Sequence, residues 1–244
     1  MESIQEMYRE ELKLALSASP GDNEDFAKIY GLRQRRLEAM AERVVTIHAC
    51  GGFGSGVMLD SNGHIATNAH VISDGRGVCN RLLVRTAWGS EAEAEFITGE
   101  YEQDVAIIKV TPDDRYYGVE IAPEVYVGQD VYAIGHPLGN KHTITRGIVS
   151  YLNREVNNRS YVQTDASINP GNSGGGLFDD LGRLVGLPTF KEVWTGQGKN
   201  VPVANLGFAV PGAVVAEYYQ RSLQRKLTQQ CNGDPEAAWR AVVL

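Results

Sequence analysis

"DASINPGNSGGGLFDD", residues 165–180, sets Ser173 among Gly171, Gly174, Gly175 and Gly176, directly after Asn169-Pro170. So few side chains cannot build a core, and glycine allows backbone turns that other residues resist. The stretch is either a passive glycine turn or a loop that presents a serine hydroxyl for chemistry. A serine becomes a nucleophile only beside a general base that a third group orients. The rest of the chain therefore decides the matter.

The totals narrow the field. The 244 residues suffice for one large domain or two small ones around a real core. A hydrophobic content of 43% with 22% charged residues fits a soluble globular protein. The net charge of -7 argues against a nucleic-acid partner. The local basic cluster Arg33, Arg35 and Arg36 alternates with apolar residues and reads as a solvated helix face. Cys50, Cys79 and Cys231 are odd in number, far apart and without metal-ligand spacing, so free or buried thiols are expected. Neither metal nor cofactor is implied. No apolar run reaches the ~20 residues of a membrane span. The early acids of "MESIQEMYREELKLALSASP" do not make a signal peptide. With Met1 as the natural start, the expected location is the cytosol. Any other start leaves the compartment open, the periplasm included.

Two amphipathic patterns, 3–16 and about 26–43, predict an N-terminal helical extension over residues 1–43. From Val44 the period shortens. "VVTIHA", "GVMLD", "HIATN", "RLLVRTAW", "AEFITG" and "VAIIKV" precede a linker-like stretch at 111–124. "VYAIG", "TITRGIVS", "YVQTD", "GLFD", "RLVGL" and "LGFAV" follow it. A dozen short strands with Gly- and Asn-rich turns predict an all-β sandwich or barrel protein. A last helix is expected after Pro211-Gly212, and a tail over 227–244 with a short helix near 235–242.

Gly171-Asn172-Ser173-Gly174-Gly175 also fits the G-x-S-x-G elbow of α/β-hydrolases, whose order is serine, acid, histidine. All five histidines, His48, His64, His70, His136 and His142, lie before Ser173, so that order fails. The order His, Asp, Ser remains. His70 in "ATNAHVIS" sits at a strand end, where an imidazole can be fixed yet reach a cleft. Among Asp74, Asp104, Asp113, Asp114, Asp130 and Asp165, Asp104 precedes the most strand-like run, with Asp130 its rival.

"GSGVMLDSNGHIATNAHVI", "QDVAIIKV", "VYAIGHPLGN", "ITRGIVS", "QTDASINPGNSGGGLFD" and "LGFAVP", in that order, resemble the HtrA/Deg branch of the chymotrypsin-fold serine proteases. The resemblance covers roughly residues 44–224. It implies two perpendicular six-stranded β-barrels, about 44–118 and 119–211, with a C-terminal helix completing a protease domain over 44–226. It makes His70 similar to the family's base, Asp104 to its orienting acid and Ser173 to its nucleophile. The oxyanion hole is assigned to Gly171, Asn172 and Ser173, the donors being the N–H groups of Gly171 and Ser173. The substrate pocket is assigned to Ser167, Ile168, Leu187, Pro188, Thr189 and Phe208. No carboxylate stands six residues before Ser173, so a small aliphatic residue before the scissile bond is expected. The implied function is a serine endopeptidase acting on unfolded or specific proteins. The competing expectation is a latent or inactive protease-fold module that binds or regulates within a larger assembly. Relatives commonly form trimers, so a homo-oligomer, or a partner held by residues 1–43, is expected. Two departures stand out: relatives carry a PDZ domain after the protease whereas only 227–244 follow the last helix, which fits either a protease-only member or a cut chain, and Gly176 stands where relatives have proline.

Overall fold

The structure, a computed structural model, describes residues 3–18, 23–74, 77–136, 142–196 and 199–230, with the backbone path alone at 190–204 and 225–230. Twelve strands form two closed antiparallel barrels. The first contains β1 (Val44–Ala49), β2 (Gly52–Met58), β3 (His64–Thr67), β4 (Leu82–Arg85), β5 (Glu91–Glu100) and β6 (Val105–Lys109). The second contains β7 (Asp130–Gly135), β8 (Thr143–Val156), β9 (Arg159–Thr164), β10 (Gly176–Asp179), β11 (Leu184–Gly196) and β12 (Lys199–Pro211). The neighbour order β1-β2-β3-β6-β5-β4 recurs as β7-β8-β9-β12-β11-β10, so both barrels are wired alike.

Alternation along the strands explains the core. Val45, Ile47, Met58, Ile65 and Ile108 fill the first barrel, while Val131, Ala133, Val149, Leu177 and Val185 fill the second. The opposite faces are apolar too: Val44, Val57, Ala66 and Ile107 meet Tyr132, Ile134, Phe178 and Leu187 in a third cluster that cements the barrels together. Strands buried on both faces read as continuous apolar runs, as "VAIIKV" does.

Helix α1 (Ile4–Ser17) starts on a capping box, Ser3 with Glu6, and α2 (Asn23–Ala41) returns beside it. Ile4, Met7 and Met40 join the inter-barrel cluster, as do Val215 and Tyr218 of α3 (Gly212–Gln230). Residues 231–244, with the predicted tail helix, lie outside the described residues.

Two sequence expectations are corrected here. Arg36 is not on a solvated face: only 1% of it is exposed. It pairs with Glu11 (3.1 Å) and with Asp180 at the β10–β11 turn (3.3 Å), and lies over the rings of Tyr8 and Tyr132. Its three-residue spacing from Arg33 marks a helix face but not which way that face turns. Nor are Cys50 and Cys79 free thiols, for they form a disulfide with a Cα–Cα distance of 5.5 Å. The turn after β1 and the segment after β3 meet only in the folded barrel, so the 29-residue separation conceals the pair.

Candidate active site

Ser173 lies on the loop before β10, and this loop is wedged into the seam between the barrels. Ser55 of β2 donates its N–H to Ser173 O (2.9 Å) and its hydroxyl to Gly171 O (2.7 Å). On the other side Gly174 N–H donates to Pro188 O of β11 (3.0 Å). Within the loop Asn172 N–H donates to Asn169 O and Gly175 N–H to Asn172 O, each at 2.9 Å. Gly171 and Gly174 have φ of 98° and 78°, in the left-handed region. A Cβ on Gly174 would stand 2.3 Å from both Ser55 O and Thr67 Oγ1, so the close approach of the barrels requires glycine there.

The seam also gathers the histidine and the acid. His70 is in a single 3₁₀ turn (Ala69–Val71) just past β3, and Asp104 immediately precedes β6, the neighbour of β3. The Asp104 carboxylate accepts from His70 twice, from the backbone N–H at 3.1 Å and at Nδ1 at 2.9 Å. Asp104 is a non-glycine residue at φ 52°, a sparsely populated conformation. It is held there by Tyr101 O, which accepts from its N–H, and by Asn68 Nδ2, which donates to its carbonyl. Asp104 is 7% exposed, whereas the His70 side chain is 40% exposed, so the acid is buried beneath an imidazole that reaches solvent.

Thr189 ties these groups to the serine. Its hydroxyl donates to Asp104 Oδ2, and its carbonyl accepts from Ser173 Oγ (3.0 Å). The Ser173 hydroxyl thus points at Thr189 O and not at the imidazole. Threonine at 189 is read from sequence as a pocket wall; its bond to Asp104, 85 residues away, is not.

Three of the rival acids are engaged elsewhere. Asp113 is held to about 2 by its bonds from Arg115, Asp130 pairs with Arg146 (2.9 Å), and Asp165 Oδ1 accepts from Ile148 N–H (2.7 Å). A second His–Asp contact joins His64 Nδ1 to Asp60 (2.7 Å), with Tyr219 OH donating to the same carboxylate. It borders a cavity of about 650 Å³ with Glu95, Lys109 and Ser222, on the α3 side of the first barrel. His136 and His142 stack with ring centroids 4.2 Å apart, behind Ser55.

Of the residues assigned to the pocket, Ser167 is exposed and Ile168 buried. Ile168 Cδ1 lies 2.6 Å from where a Cβ on Gly207 would be. Leu187 and Phe208 are core residues of the inter-barrel cluster. Pro188 and Thr189 are buried beside the serine loop, through the bonds already described. A Cβ on Gly176 would fall 2.1 Å from the Phe178 ring, which explains the absence of proline: the ring folds back over that position.

A family model described as a trypsin-like peptidase domain matches residues 54–187. Protease Do-like 1, chloroplastic, of Arabidopsis thaliana is 38% identical over 170 residues, 66% of this chain and 37% of that protein. A probable periplasmic serine endoprotease, DegP-like, of Pseudomonas fulva is 32% identical over 248 residues, 100% of this chain and 45% of its own. The solved serine endoprotease from Yersinia pestis matches with a TM-score of 0.63 and 30% identity, over 75% of this chain and 64% of that one. The chain thus spans less than half the length of these two curated relatives. Further matched relatives are also named periplasmic, which overturns the expected cytosolic location. The Cys50–Cys79 disulfide agrees, since such bonds persist in oxidising compartments. Among the described residues, no helix is long and apolar enough to cross a membrane.

Proposed function

The chain belongs to the trypsin-like peptidase family, as an HtrA-like member, and on that premise we propose that it is an extracytoplasmic serine endopeptidase. The observation that carries the reading is the grip of Asp104 on both the N–H and Nδ1 of His70, beside a serine loop locked in the same seam. Ser173 is the nucleophile, His70 the general base and Asp104 the orienting acid. With Nδ1–H committed to Asp104, His70 keeps Nε2 for the serine proton. At rest Ser173 Oγ donates to Thr189 O. A turn about its Cα–Cβ bond redirects it to the imidazole, and such contacts often close only once substrate is bound. Oγ then attacks the scissile carbonyl while His70 takes the proton. The oxyanion gathers N–H groups from Gly171 and Ser173, and His70 returns the proton to the leaving amine. Water repeats the sequence on the acyl-enzyme.

Ile168 packed over Gly207 supports a small aliphatic residue before the scissile bond, because little depth is left there. The substrate class is unfolded or specific protein chains. The catalytic unit is residues 44–226, and the helices of 1–43 serve assembly, as a homotrimer or with a partner. Labelling with a fluorophosphonate probe, together with a peptide-library digest, tests the reading. Wild type should label and cleave after small aliphatic residues, and Ser173→Ala should do neither. Equal labelling of both proteins would sink the assignment.

A further inference from the structure

On the endopeptidase reading above, we infer that Ser55 is a positioning residue: its side chain sets the peptide planes from which the oxyanion hole is built. Ser55 is on β2 of the first barrel and wholly buried, yet its hydroxyl and N–H face the second barrel. Its hydroxyl donates to Gly171 O (2.7 Å) and accepts from His136 N–H (3.0 Å). Its N–H donates to Ser173 O (2.9 Å), and its carbonyl accepts from Thr67 Oγ1 (2.7 Å).

The N–H groups that would meet an oxyanion belong to the planes between residues 170 and 171 and between 172 and 173. The plane from 171 to 172 has its carbonyl on Ser55 Oγ and its N–H on Asn169 O. The plane from 173 to 174 has its carbonyl on Ser55 N–H and its N–H on Pro188 O. Both are therefore gripped at two ends, and the plane between them, which carries the Ser173 N–H, has its direction fixed. Gly171, at φ 98°, is the weak point, because glycine resists rotation least. The Ser55 hydroxyl is the group that stops Gly171 O from turning into the cleft. Ser55 thus contributes to the reaction from a wholly buried position.

Ser55→Ala deletes that hydroxyl and leaves β2 otherwise intact. A misplacement near 1 Å can cost about 100-fold in rate, so kcat/KM should fall by about 10- to 100-fold. The fall should lie in kcat, with KM little changed. A peptidyl boronate, which forms the tetrahedral oxyanion, should lose affinity in step with kcat/KM. A cleaved product peptide, which has no oxyanion, should bind as before. Ser222→Ala, another buried hydroxyl but on α3, gauges a purely structural loss, and its boronate-to-product affinity ratio should match wild type. Should the alanine variant fail to fold, Ser55→Cys fills the same space with a poor donor and should show the same pattern. Activity and boronate affinity within about twofold of wild type in the folded variant would overturn the inference. So would equal losses for boronate and product. Wild type that takes no fluorophosphonate would instead bring down the endopeptidase reading itself, and this inference with it.

Discussion

Buried His136 and half-buried His142 lie ring against ring, with His142 Nε2 on Val44 O and Glu42 nearby. Burial disfavours the charged form of both, and it pushes His136 down to about 4 from an ordinary value near 6.5. The unfolded chain therefore binds more protons across that interval, and stability falls as pH drops through it, levelling below about 4. Roughly 3 kcal/mol is at stake for His136 alone. Thermal unfolding of Ser173→Ala from about pH 7 to about pH 4 measures the slope without self-digestion. A His136→Asn, His142→Gln double variant should flatten it, and an unchanged slope would refute this account. Single residues differ in how plainly sequence announces them. The place of Asp104 beside His70 is legible, because a carboxylate just before a deeply apolar strand is carried to a buried strand end. Ser55 is not, since the partners of its hydroxyl lie 116 and 81 residues away.

At the scale of elements, each of the twelve apolar runs became one strand, because a run of alternating or continuous apolar residues has few other ways to be buried. Strand ends were less legible. Pairing carries β8 on through polar Asn153, Arg154 and Glu155, guided by its hairpin with β9 and not by hydrophobicity. The N-terminal helices were legible as helices but not in how they dock. Arg36 is 1% exposed and joins Glu11 and Asp180, and Glu11 is also held by Arg33 at 2.6 Å, so removing Arg36 leaves Asp180 rather than Glu11 without a cation. Arg36→Met should cost about 3–5 kcal/mol, read as a lower urea midpoint. Adding Asp180→Asn should recover part of that loss; no recovery would mean that the carboxylate left unpaired is not the cause.

For the molecule as a whole, the dozen strands and the linker between two sets of six are legible in the residues, whereas two barrels enter only through the family resemblance and their doubled wiring only through the pairing itself. The covalent tie within the first barrel is not legible, because three scattered cysteines give no pairing. The Cys50–Cys79 bond closes a 29-residue separation, and constraining the unfolded chain by that much is worth roughly 3–4 kcal/mol. Chemical unfolding with and without reductant should show a loss of that size. A shift near zero would mean that barrel closure alone holds these segments.

His70 and Asp104 come from the first barrel and Ser173 from the second, and the serine's loop is gripped by both. On the proposed chemistry, neither half of a growing chain carries a competent site. Cleavage begins only when synthesis has passed residue 173 and the halves have closed on each other, so a nascent chain is safe from itself. Loosening the joint would silence the enzyme before either barrel melts, which makes activity a more sensitive gauge of damage than any spectroscopic signal of the sheets.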